Sequence, residues 1–184
     1  MIKDIRLGEC TDSSFVKTQR MFYTQKDREK SWDMVDVHDS VSVLIYHKEK
    51  DAFVLVKQFR PPVYLQNKDG FTYELCAGIV DKEVSLEQIA KEEIDEECGY
   101  NVPLEKIERV TSFYTAVGFA GAQQTLYYCE VDENMKEHEG GGIHVEDIEV
   151  VYLDVKEAQI FIFDESKSKT PGIMYALMWW LDKR

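Results

Sequence analysis

The chain has 184 residues, of which 44% are hydrophobic and 31% charged, with a formal net charge of -13. That length suits one domain with a substantial core. So acidic a surface, with no Lys/Arg-rich run to offset it, argues against nucleic acid and anionic membranes as partners.

The opening MIKDIRLGEC lacks the apolar stretch of a secretory signal, and the greasiest run, 173–181 (IMYALMWWL), is about half of the ~20 residues that a bilayer crossing needs. Cysteines at 10, 76, 98 and 129 form no C-x-x-C pair. They suggest reduced thiols in a cytoplasmic protein and offer no zinc-ligand spacing.

In chain order, strands are expected at 15–24, 41–47 and 52–59, where β-branched and aromatic residues concentrate, with KEKD turning a hairpin between the last two. A further strand is expected at 71–80 (FTYELCAGIV). Ser85-Leu86-Glu87-Gln88 then opens a helix as a capping box, Leu86, Ile89 and Ala90 give it an apolar stripe, and Gly99 stops it. Strands follow at 107–115, 124–131 and 148–154. The polar segment 132–142, ending in three glycines, reads as a mobile surface loop. A short helix fits 155–162, and a longer one starts at Thr170-Pro171 and ends at Lys183 and Arg184, which complement its dipole. The whole is an α/β (α+β) pattern in which a mixed sheet dominates.

The helix ends in KEEIDEECGY, with five carboxylates in seven residues. Glu93 with Glu97 and Glu92 with Glu96 are like-charge pairs one turn apart, each unfavourable by roughly 0.2–0.5 kcal/mol. They also crowd the negative end of the helix dipole. A cation is therefore expected nearby. Positions 93, 96 and 97 share a face and present hard oxygen ligands suited to Mg²⁺ or Mn²⁺, and a carboxylate-held Mg²⁺ usually implies a phosphate substrate.

Gly78, Glu93-Ile94, Glu96-Glu97 and Gly99 fit the spacing of the Nudix box, G-x5-E-x7-R-E-U-x-E-E-x-G-U, without insertion. Six of nine specified positions agree, Tyr100 replaces an aliphatic residue, and Val84 and Glu92 stand where the box has Glu and Arg. In the family that Glu and Arg look mainly like an orienting ion pair. Outside the box, 30–64, YELCAGIVD (73–81) and GFAGAQQTLYYCEV (118–131) resemble the UDP-sugar pyrophosphatase branch of the Nudix hydrolases, next to the ADP-ribose pyrophosphatases.

The resemblance implies a Nudix fold, with mixed β-sheets sandwiched by helices and extra N-terminal antiparallel strands. Residues 1–38 would be an N-terminal β region packing on the partner of a homodimer, and 39–184 the catalytic domain. It implies Mg²⁺-dependent hydrolysis of a nucleoside diphosphate sugar, UDP-glucose giving UMP and glucose 1-phosphate, with ADP-ribose, or nucleotide binding without cleavage, as the alternatives.

Residue by residue, it assigns metal ligation to the Ala77 carbonyl, Glu93 and Glu97. Glu96 joins the catalytic carboxylates as a third ligand or a group supporting the first two. In the stretch after the glycines, Glu146 takes a metal position and His144 the place of the general base; alternatively Glu146 is the base. Arg60, pre-aimed by Pro61-Pro62, serves a substrate phosphate or a salt bridge across the dimer, and Glu74 serves the substrate side or is a surface-strand carboxylate. Trp32 and Phe22 are base-stacking or interface residues. Gly118 and Phe119 lie in a loop open to a sugar or base.

Overall fold

The computed structural model describes residues 2–143 and 146–183. Its centre is a hairpin of two almost continuously apolar strands, β3 (Ser40–His47) and β4 (Ala52–Phe59), which are preceded in the chain by β1 (Lys17–Gln25) and β2 (Arg28–Asp36). The hairpin pairs only near its turn, from Ile45 opposite Val54 to His47 opposite Ala52. Beyond that the two strands diverge.

The segment expected as one strand at 71–80 fills the resulting wedge as two. β5 (Phe71–Glu74) pairs with β4, the chain steps across at Leu75, and β6 (Cys76–Ile79) pairs with β3. A single strand cannot follow two partners that separate. The outer edge of β4 takes β9 (Ile148–Asp154), and that of β3 takes β8 (Gln123–Val131) in parallel, with β7 (Glu108–Tyr114) antiparallel on β8.

The alternation of side chains along β3 sorts the core into two halves. Val41, Val43 and Ile45 face helix α2 (Leu86–Cys98) and pack with Ile89, Ile94, Cys98 and Tyr127. Leu44 faces the other way, packing with Leu75 and with Ile173 and Leu177 of α4 (Pro171–Asp182), beside α3 (Val155–Phe163). Half of the capping box forms, with Ser85 Oγ accepting the Gln88 N–H at 3.2 Å while the Gln88 side chain turns to Glu92 instead, and Gly99 closes the helix at φ 73°.

Two elements lie outside the strands and helices read from residue patterns, although the resemblance implies antiparallel strands in the N-terminal region. β2 pairs with β1 along its whole length through a tight turn in which Lys26 and Asp27 both have positive φ, 53° and 58°. That turn geometry is normally signalled by Asn-Gly or Asp-Gly, and REKSWDMVD shows little apolar alternation because the ribbon is almost wholly exposed. The second is a short helix, α1 (Pro61–Asn67), whose two prolines occupy the first turn, where no intrahelical N–H is needed.

Among the described residues, no helix is long and apolar enough to cross a membrane. Ile94 is fully buried between α2 and the sheet. Ile94→Ala should lower the unfolding free energy by roughly 2–4 kcal/mol, seen as an earlier urea midpoint with an unchanged slope.

Candidate active site

Helix α2 lies against the free edge of β6. The Ala77 N–H donates to Glu97 Oε2 at 3.0 Å. Because the N–H and C=O of one strand residue point to the same side, the Ala77 carbonyl lies along this edge too. One residue on, a Cβ on Gly78 would fall 1.9 Å from Glu93 Oε1, so only glycine lets that carboxylate lie over the strand. Ala77 and Gly78 thus lie against the two carboxylates named as ligands.

Glu97 is only 4% exposed. Burial pushes its carboxyl up to about 8 against the opposing Ala77 hydrogen bond, with Glu93 and Glu146 adding to the rise. Burial, then Glu96 and Glu146, push Glu93 up to about 7. Both carboxyls therefore hold their protons well above the ordinary carboxylate range.

The glycine segment is a clamp on α2, whereas the sequence suggests a mobile loop. Gly141 N–H donates to Glu97 O at 2.9 Å and Gly142 N–H to Glu96 O at 3.0 Å, which satisfies carbonyls that a helix end leaves open. Lys136 Nζ adds a bond to Cys98 O at 2.9 Å and is a cation at the negative end of the helix. Gly140 has φ 74°, and a Cβ there would meet Glu97 O at 2.2 Å, so the close fit requires glycine. Only backbone seen as Gly-Gly-Gly could signal this, and composition alone does not distinguish a clamp from a floppy turn.

The clamp delivers Glu146, whose Oε2 accepts the Ile143 N–H at 2.8 Å and whose charge acts on both Glu93 and Glu97. His144 lies outside the described residues.

Arg60 and Glu74, named separately for the substrate side, bind one another: Nε to Oε1 at 2.8 Å and Nη2 to Oε2 at 2.6 Å, with Thr72 Oγ1 donating to the same Oε1 at 2.5 Å. The ion pair is within one chain. Glu97 and Glu146 also help to hold Arg60 charged, which places the guanidinium beside the acidic group.

Glu92, at the vacant Arg position, pairs with Lys82 at 2.7 Å and accepts from Gln88 Nε2 at 3.0 Å. Lys82 holds the Glu92 carboxyl below its ordinary range. Loop and helix therefore keep an ion pair with the charges exchanged.

Trp32, Gly118 and Phe119 meet at the ribbon rather than at the acidic group. Trp32 Nε1 donates to Gly118 O at 2.9 Å, and Val35 N–H to Phe119 O at 2.8 Å. A separate His47, Glu49, Glu133 cluster already holds a cation: Lys50 Nζ lies 3.2 Å from His47 Nε2 and is ion-paired with Glu133.

Carboxylates held above their ordinary pKa range, one of them buried, with a strand edge bearing the Ala77 carbonyl and a glycine cradle, fit a hard divalent cation. Ala77, Glu93 and Glu97 would hold it, with Glu96 and Glu146 at hand. The NUDIX domain profile matches residues 36–171. The chain belongs to the Nudix family. Over 97% of its length and 93% of theirs, it is 35% identical to uridine diphosphate glucose pyrophosphatase NUDT14 of Bos taurus, and over 99% and 95%, 34% identical to that of Mus musculus. It is also 37% identical to GDP-mannose pyrophosphatase of Cronobacter sakazakii, over 73% of this chain and 71% of that one. For this Nudix protein the matched span includes the wedge, α2 and the clamp.

Two outcomes follow from the geometry. Gly78→Ala should displace Glu93 and abolish the rise in thermal midpoint on adding Mg²⁺, with the far-UV circular dichroism spectrum unchanged. The second concerns pH. A carboxyl whose pKa is higher in the folded than in the unfolded state stabilises the fold below its unfolded value and loses that contribution as pH rises through the folded one. The metal-free midpoint should therefore fall between about pH 4.5 and about pH 8. Glu97→Gln should flatten that fall, gaining on the order of a few kcal/mol at pH 8, as measured by calorimetry in chelator.

Proposed function

We propose that this Nudix protein hydrolyses the pyrophosphate bond of a nucleoside diphosphate sugar, with UDP-glucose giving UMP and glucose 1-phosphate. The observation that carries this is the pair of carboxylates, buried Glu97 and half-buried Glu93, packed on the Ala77-Gly78 edge. The near full-length similarity to UDP-glucose pyrophosphatases supports the choice of substrate, and the GDP-mannose pyrophosphatases mark the same class.

When bound, Mg²⁺ or Mn²⁺ screens the charge of the pyrophosphate and polarises the attacking water. The chain's own part is to hold and orient. Glu97 is fixed by the Ala77 amide, Glu93 by the Gly78 cradle, and the clamp keeps the end of α2 in register with both. Arg60, locked by Glu74, retains its Nη1 donors for a phosphate oxygen. Glu146, carried by the clamp on an exposed segment, accepts the proton from water, and Glu96 supports the cation-binding face.

The ribbon of β1 and β2 supports a homodimer. A two-stranded ribbon is marginal alone, and this one leaves Met21, Phe22 and Trp32 51%, 77% and 54% exposed. A second copy covers it, with residues 1–38 as the packing arm and Trp32 and Phe119 at the rim of the substrate site. Buried free thiols at Cys76, Cys98 and Cys129 suit the cytoplasm.

Purified protein with Mg²⁺ should release UMP from UDP-glucose, assayed beside GDP-mannose and ADP-ribose; binding without monophosphate release from any of them would remove the enzyme reading. Glu146→Gln should lower kcat roughly 10²-fold or more without rescue by added Mg²⁺. A larger loss in His144→Gln would move the base to that residue.

A further inference from the structure

A cleft of about 380 Å³ opens at the mouth of the wedge, beside Glu74 and Ala77, and runs across the face of β3 and β8 turned away from α2. Its walls include Ser40, Ser42, Gln124, Phe113 and Gly172. At the floor, Ser42 is 1% exposed, and its Oγ is the one buried side-chain polar atom among the described residues with no hydrogen-bond partner. A buried hydroxyl left unpaired costs about 1–3 kcal/mol, so a partner for it is expected.

A second feature meets it from above. Helix α4, 12 residues long, begins at Pro171 with no side-chain cap from Thr170, so its first amides are left open. A Cβ on Gly172 would lie 3.0 Å from Gln124 Oε1 and 3.6 Å from the Phe113 ring, which shows how closely the helix end approaches the floor. Gln124 Nε2 in turn donates to Ser40 Oγ at 3.1 Å.

Hydroxyls, an amide, a carboxylate and open backbone amides, with two aromatic side chains, Phe113 and Tyr114, match a neutral ring bearing several hydroxyls. A volume near the lower end of the ~300–1,000 Å³ of small-molecule sites accommodates one such ring more readily than a whole nucleotide sugar.

We propose that this cleft is the glycosyl subsite, in which Ser42 and the N-terminus of α4 hydrogen-bond the sugar hydroxyls of the nucleotide sugar. The proposal rests on the nucleotide-sugar reading above. Ser42 then sets the preference among sugars, and its unpaired hydroxyl finds its partner only in the complex.

The test compares UDP-glucose with uridine diphosphate methyl ester, which keeps the nucleoside and the pyrophosphate but lacks the sugar. Ser42→Ala should lower kcat/KM for UDP-glucose roughly five- to tenfold and leave the methyl ester unchanged, with a thermal midpoint equal to or above that of the parent. Gly172→Ala, whose added methyl group crowds the Gln124 amide on the floor, should reproduce the split. Equal losses on both substrates would place the nucleoside in the cleft, and no loss on either would leave Ser42 without a ligand; both overturn the proposal. A wild-type protein inert to every nucleotide sugar would instead overturn the catalytic reading. Calorimetric titration of glucose 1-phosphate then decides the subsite, with weaker binding to Ser42→Ala supporting it and equal or absent binding overturning it.

Discussion

Helix α2 can bring carboxylates to the edge of β6 only because that edge has no strand on it. The β3–β4 hairpin separates after three paired positions, and the strand pair that fills the wedge leaves the Ala77 amide and carbonyl facing outward. Had the hairpin stayed closed, the amide would be spent on a ladder bond and Glu97 would have no anchor. The acidic group, the Arg60–Glu74 pair and the polar cleft all open from this one divergence.

The arrangement works against the stability of the empty protein. Two carboxylates, buried Glu97 and half-buried Glu93, sit close together at the unfavourable end of a helix, and the opposing terms are local: one strand amide, the clamp's N–H groups on the last carbonyls, and Lys136. Such a group is tolerated where a ligand completes it. The structure thus concentrates its electrostatic strain where charge must later be neutralised.

Much of this was legible in the chain. The capping box, the Gly99 stop and the shared face of 93, 96 and 97 are local patterns, and they predict α2 and its acidic surface correctly. The spacing from Gly78 to Gly99 shows the family even with two positions altered. What residue patterns could not show is what depends on partners far along the chain, namely the break at Leu75, set by diverging neighbours, and the clamp, whose bonds reach back more than forty residues from Gly141 to Glu97; β2, whose partner is local, buries almost nothing and so carries no apolar rhythm, and only the resemblance implied it. Arg60 and Glu74 were each recognised singly, but their pairing requires the wedge to place them side by side.

The Lys82–Glu92 pair bears on how such proteins are recognised. The box as written asks for an anion on the loop and a cation on the helix, and here the polarity is inverted. A tie between two segments is indifferent to which end carries which sign, since attraction depends on the product of the charges. A consensus spelled in residue identities therefore counts two errors where the molecule has made one compensated exchange. What cannot be exchanged is the empty space above Gly78, because no substitution elsewhere restores room for the Glu93 carboxylate. The vacancy of a side chain, more than the presence of any charge, is the feature by which divergent relatives of this chain would still be known.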